Sequence, residues 1–199
     1  MATEPAVCET LHLPAQSGSN RTLKRMLRRY TRADYLAVVG RLRAAVPDLC
    51  VSTDLIVGFP GETDADFAET LSLVREVEFD GAFTFRFSPR EGTPATRLPD
   101  AVPDVVAAER LELLIDAVRA VSRARSAAVV GTAHEVLVEQ VAPRGSQLQA
   151  RTRHNRVALL DGPTSWIGTY RTVRLTGTTG ATFSAVPAGV PLAVAGVGA

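Results

Sequence analysis

The sequence predicts an α/β unit of parallel strands and crossover helices over residues 1–130, followed by a small all-β barrel over residues 131–186. Three observations carry this. Apolar runs of strand length alternate with helical patterns through the first 130 residues, and that alternation calls for parallel strands joined by crossovers. After Gly131 the helices stop and short strands follow one another between turn residues. Two turn-rich segments, LPAQSGSN and VGFPGET, each end a strand and open a helix.

The elements follow in order. Residues 10–14 (TLHLP) form a short strand that breaks in the run Gln16-Ser17-Gly18-Ser19-Asn20. Residues 21–32 read as a basic helix with Leu23, Met26, Leu27 and Tyr30 at helical spacing. Thr31 and Asp34 make a capping box for a second helix, whose Tyr35, Val38, Val39 and Leu42 share one face. CVSTDLIV (50–57) is a buried strand, broken by Gly58-Phe59-Pro60-Gly61. A second capping box, Thr63 and Asp66, opens a helix with Phe67, Leu71, Val74 and Val77 on one side. AFTFRF (82–87) alternates as a third strand. A Pro-containing loop (88–103) then leads to a long helix over 105–129. Three parallel strands cannot close on themselves, so this sheet keeps edges that need cover. In the second unit, strands are predicted at 133–139, 156–160 and 170–175. The small apolar stretch 187–199 reads as a disordered tail.

Composition is that of a globular chain: 46% hydrophobic, 22% charged, net charge +1. No apolar run is long enough to span a bilayer, and a reducing cytoplasm is the expected compartment. Lys24 is the only lysine, so the positive charge is carried by arginine, whose planar fork suits phosphate. Cys8 and Cys50 are too few for a disulfide framework and too far apart for a metal-ligand pair, so no metal site is expected.

The candidate site lies at the carboxyl ends of the strands, where α/β folds bind ligands. Glycines in the turn around Gly58, Phe59 and Pro60 let the backbone approach a ligand, and Phe59 offers a face to an adenine ring. Gln16, Ser17 and Ser19 either bind a ligand or cap the following helix. Asp54 is a carboxylate inside an apolar strand, so it must be paired or functional. Its alternation with Ser52 turns both toward the barrel lumen, for a role at the ligand or just behind it. His12 reads as a structural strand residue. Arg21, Lys24, Arg25, Arg28, Arg29 and Arg32 carry no intervening acid and form an expected phosphate-guiding face. A second basic cluster, Arg151, Arg153, His154, Asn155 and Arg156, is expected to meet phosphates from a loop with almost no negative charge nearby. Trp166 reads as core; with Tyr170 it is a secondary candidate for base stacking.

The segments LHLPAQSGSN, RYT at 29–31, STDLIVGFPGET and AFTFRFSPREGTPA together resemble the radical S-adenosylmethionine methylthiotransferases that act on tRNA. The resemblance covers about residues 8–186. It implies the C-terminal half of a radical SAM partial (β/α) barrel followed by an OB-like TRAM barrel that binds RNA. It also implies an S-adenosylmethionine pocket at Gln16, Ser17, Asp54, Gly58, Phe59 and Pro60, with RNA contacts from Arg25, Arg28, Arg29, Arg151, Arg153, Asn155 and Arg156. The implied reaction is methylthiolation of N6-dimethylallyladenosine next to the tRNA anticodon.

This family uses [4Fe–4S] clusters held by cysteine thiolates, which nothing in this chain replaces. The chain is therefore expected to be either a fragment of a split or misread gene or a degenerate product, inactive alone, with tRNA as a partner and the missing N-terminal half of the same enzyme as another. Two other readings stay open: a non-catalytic RNA-binding protein, and a methylthiotransferase acting on a ribosomal-protein aspartate.

Overall fold

The computed structural model describes residues 2–189, in two units that divide between Arg125 and Ser126. In the first unit, β1 (Thr10–His12), β2 (Cys50–Val57) and β3 (Gly81–Arg86) form a parallel sheet in the order β1-β2-β3. The helices are α1 (Asn20–Arg25), α2 (Arg32–Ala45), α3 (Asp64–Val77) and α4 (Asp104–Ala128). Strand β2 alternates strictly: Val51, Thr53, Leu55 and Val57 are buried, whereas Ser52, Asp54 and Ile56 are only partly covered. The buried side packs with Tyr35 and Val39 of α2, Phe67, Leu73, Val74 and Val77 of α3, and Leu114 and Val118 of α4. Tyr35 is held there by a hydrogen bond to the Leu13 carbonyl at 2.7 Å, and burial pushes its phenol up to about 12. The other side of the sheet is open, with Phe83 and Phe85 well exposed.

Both expected capping boxes form, at Thr31 with Asp34 and at Thr63 with Asp66. The expected helix over 21–32 does not. Helix α1 stops at Arg25 because Leu27 takes a left-handed conformation, φ 59°. The Leu27 N–H then meets the Lys24 carbonyl at 3.0 Å, and the Arg28 N–H meets the Leu23 carbonyl at 2.9 Å. These are the two bonds of a Schellman cap, formed here without glycine. The chain restarts at α2, where Asn20 Oδ1 accepts from the Arg32 N–H at 2.7 Å.

The second unit is a closed five-stranded barrel in the order β4-β5-β6-β8-β7. Its strands are β4 (Ala133–Val141), β5 (Leu148–Thr152), β6 (Val157–Leu160), β7 (Tyr170–Thr178) and β8 (Thr182–Pro187). All pairings are antiparallel except β6 with β8. Val136, Val138, Leu148, Ala150, Leu160, Val173, Leu175 and Phe183 fill its interior. Two strands, β5 and β8, are additional to those expected. Pro187, expected to begin a disordered tail, is instead the last residue of β8; residues 190–199 of that expectation lie outside the described residues.

Candidate ligand cavity

A cavity of about 650 Å3 opens at the carboxyl end of the first unit's sheet. Its lining comes from four places: Gln16 after β1; Arg25 to Arg28 at the end of α1; Asp54, Ile56 and Phe59 of β2 and its turn; and residues from β3 into the following loop. Among the last are Phe85, Arg86, Phe87, Arg90 and Leu98.

Gln16 sits at φ 65° and continues the sheet beyond β1: its N–H donates to the Asp54 carbonyl, and its own carbonyl accepts from the Ile56 N–H. The turn backbone thus aims this side chain at the cavity. Phe59 meets Phe87 edge to face with centroids 4.9 Å apart, making an aromatic wall. Asp54 shares the open face of β2 with Ser52, as the alternation predicted, but its side chain is 28% exposed rather than fully buried. His12 joins them: its Nδ1 lies 3.0 Å from Ser52 Oγ and its Nε2 3.3 Å from Asp54 Oδ1. Sequence reasoning set this histidine aside, yet it orients the carboxylate that lines the cavity.

Ser17, Gly58 and Pro60 do not line the cavity. Ser17 is buried against Thr70, with the two hydroxyls 3.2 Å apart. Gly58 takes φ 71°, and a Cβ there would lie 2.7 Å from Ala107 Cβ of α4. Its N–H donates to Glu62 Oε2 at 2.7 Å, and the same oxygen accepts from Arg110 at 2.9 Å. Burial raises the Glu62 carboxyl against these partners. Pro60 supplies a carbonyl to Arg25 Nε at 2.8 Å.

Half of the six basic residues after β1 are committed to the fold. Arg21 pairs with Asp66 and donates to the Gly61 carbonyl. Arg32 binds Glu76 and the Glu69 carbonyl, each at 2.6 Å. Arg25 ties the Pro60 carbonyl to that of Pro99 and lies so close over Gly61 that a Cβ there would meet its guanidinium at 2.6 Å. Arg28 lines the cavity and Arg29 does not.

In the barrel, the expected acid-free loop is a β-hairpin facing two acids. Arg151 Nε and Nη2 grip Glu139 at 2.7 and 3.1 Å, and Nη1 donates to Asn155 Oδ1 at 3.0 Å. Arg153 lies 4.0 Å from Glu135. Arg156 donates to Ser126 Oγ and the Gly180 carbonyl and covers the Phe183 ring. The register explains this: Leu137 of β4 stands opposite Arg151, a neighbourhood not legible from the hairpin's own sequence. Trp166 packs on the barrel core beneath Arg171, whereas Tyr170 is 68% exposed.

A cavity with aromatic walls, an amide and a carboxylate thus opens at the ends of parallel strands, the place where α/β units take ligands. Residues 3–74 match the radical SAM superfamily. The chain is similar to curated proteins named tRNA-2-methylthio-N(6)-dimethylallyladenosine synthase. It is 49% identical over 173 residues to that of Thermoanaerobacter sp. (strain X514), covering 86% of this chain and 37% of the relative. The Moorella thermoacetica protein is 48% identical over 171 residues, covering 85% of this chain and 38% of the relative. That of Chromobacterium violaceum is 47% identical over 173 residues, with 86% and 39% covered. The chain thus spans less than two-fifths of the length of these relatives. The resemblance read from the motifs is borne out: residues 3–74 match the radical SAM superfamily, and over most of its length the chain is similar to proteins named for this methylthio synthesis.

The lining fits an adenosyl ligand, with phenylalanine rings for a base and Asp54 and Gln16 for hydroxyl or ammonium donors. It does not fit an iron–sulfur cluster. Cys8 is exposed, Cys50 lies at the start of β2, and no group of three or more His, Cys, Asp or Glu residues gathers for a metal ion among the described residues. Nor is any helix of the described residues long and apolar enough to cross a membrane.

Proposed function

We propose that this chain supplies part of the substrate and S-adenosylmethionine cavity, together with the RNA-holding barrel, of a cytoplasmic enzyme that methylthiolates N6-dimethylallyladenosine in tRNA. The observation that carries this reading is the cavity itself. It is lined by Gln16, Asp54 and Phe59 from the two motif segments that predicted the family. The 49% identity to a protein named for that product supports it. Bound in the cavity, S-adenosylmethionine supplies a methyl group and a 5′-deoxyadenosyl group. This chain's residues would hold it: the wall made by Phe59 and Phe87 would offer apolar surface to the base, while Asp54, oriented by His12, and Gln16 would accept its hydrogen-bond donors. The cluster ligands are assigned to protein outside this sequence, and the chain alone is inactive. The five-stranded barrel is read as the TRAM module, with arginines on its β5–β6 hairpin.

Deleting the gene that carries this chain tests the reaction. Digested tRNA should lose 2-methylthio-N6-dimethylallyladenosine and accumulate N6-dimethylallyladenosine by mass spectrometry. Unchanged tRNA together with a lighter ribosomal protein would move the reaction to the aspartate substrate. Unchanged tRNA and ribosomal proteins would leave only RNA binding.

A further inference from the structure

Among the arginines of the first unit, six are committed to protein partners and three around one cavity are not. Arg21, Arg32, Arg110 and Arg125 face carboxylates, and Arg43 donates to the Val77 and Glu78 carbonyls. Arg25, in the cavity wall, is spent on the Pro60 and Pro99 carbonyls. Arg28, Arg86 and Arg90 line the same cavity, are exposed, and have no side-chain hydrogen-bond or ion-pair partner among the described residues. The only acid in the lining is Asp54, which already faces His12.

We propose that Arg28, Arg86 and Arg90 form a phosphate clamp at the cavity, so that the site takes a nucleotide by its phosphodiester rather than a free nucleoside. This rests on the reading of the cavity as shared by S-adenosylmethionine and the substrate adenosine of an RNA, and deepens its substrate side. The three guanidinium groups come from separate places. Arg28 follows the Schellman cap at Leu27, Arg86 ends β3, and Arg90 lies in the loop beyond. Three like charges around one cavity repel until an anion sits among them, and a guanidinium fork matches phosphate oxygens bidentately. Phe59, Phe85 and Phe87 in the same lining provide apolar surface. A ligand that satisfies both halves carries a flat ring and a phosphate, as a nucleotide does. Arg25 cannot join the clamp, because moving it would strip two carbonyls of their donor.

The test is to titrate the whole chain with adenosine, AMP and a five-nucleotide single-stranded RNA. Occupancy is read from the ring-proton NMR shifts of Phe59 and Phe87, which report this cavity and not the barrel. At low salt, AMP and the RNA should bind about tenfold or more tighter than adenosine, the size of one charge-assisted contact. Arg28→Gln, Arg86→Gln and Arg90→Gln together should remove that advantage, leaving adenosine affinity and the melting temperature unchanged. Arg29→Gln removes an adjacent charge outside the lining and should keep most of the AMP advantage over adenosine. Equal binding of all three ligands, or of none, overturns the clamp. So does a gain for AMP without one for the RNA, an advantage that survives the triple substitution, or an equal loss in Arg29→Gln. The clamp and the reaction fail separately: unchanged tRNA after gene deletion removes the reaction, and equal adenosine and AMP affinities remove the clamp.

Discussion

The Ser19 hydroxyl donates to Asp66 Oδ1 at 2.6 Å, joining the turn after β1 to the first turn of α3. Asp66 Oδ2 also accepts from the Thr63 N–H at 2.8 Å and the Thr63 hydroxyl at 2.6 Å, and meets Arg21. One carboxylate therefore fastens both motif segments that frame the cavity.

That carboxylate makes the first unit acid-sensitive. Burial alone would raise its pKa, but the Ser19 and Thr63 hydrogen bonds and the Arg21 charge outweigh it and hold the group at about 2. A depressed folded-state pKa contributes stability above the unfolded value, near 3.8, and loses it as pH falls toward 2. The contribution at neutral pH is about 2 kcal/mol. Asp66→Asn should lower the melting temperature at pH 7 and flatten its fall between pH 5 and 2. Parallel melting curves across that range for both proteins would refute the assignment.

Gly58 should not tolerate a side chain. At φ 71°, with Ala107 Cβ 2.7 Å from where a Cβ would stand, Gly58→Ala should cost about 1–3 kcal/mol. Gly40 has nothing near its absent Cβ and lies within α2, so Gly40→Ala should be neutral or stabilising. Chemical denaturation of the two variants checks both signs.

In the barrel, an RNA phosphate held as proposed would have to compete with Glu139 for Arg151. The hydrogen bond from Arg151 holds the Glu139 carboxyl below its usual range, so the pair is charged at neutral pH. Glu139→Gln should release the arginine, tighten tRNA binding and steepen its salt dependence by up to about one unit. An unchanged slope in a filter-binding titration would mean that Arg151 meets no phosphate. Arg156→Ala should instead lower the barrel's melting temperature, because that side chain holds Ser126 and Gly180 and covers Phe183.

Anaerobic reconstitution of this chain should yield no stoichiometric iron or sulfide. Cys8 and Cys50 are the only thiols, and Cys50 lies on a strand whose first residue pairs with Thr10. Iron and acid-labile sulfide assays decide this, and one cluster per chain would contradict it.

Features governed by near neighbours were legible in the sequence: both capping boxes, the span of β2 and the shared face of Ser52 and Asp54. Features governed by distant partners were not. The basic run after β1 looks unpaired along the chain, yet Asp66 and Glu76 come from α3 to meet Arg21 and Arg32. Glu139 similarly reaches Arg151 across β4 and β5. A left-handed leucine gives no warning in composition, so the end of α1 was missed. Strand β5 escaped because its inward residues are Leu148, Ala150 and Thr152, too small and polar to print an apolar period. Of the expected pocket, Gln16, Asp54 and Phe59 reach the cavity, whereas Ser17, Gly58 and Pro60 build the turns that carry them.

Strand β8 pairs with β6 in parallel and with β7 in antiparallel, and so closes the barrel between strands already made. As the chain emerges from the ribosome, β4 to β7 can pair as neighbours, but β6 and β7 keep bare edges until Thr182–Pro187 appears. Closure of the barrel thus has to wait for β8, whatever the other strands have already paired with. A stop codon a few residues before Thr182 should leave an open, self-associating sheet.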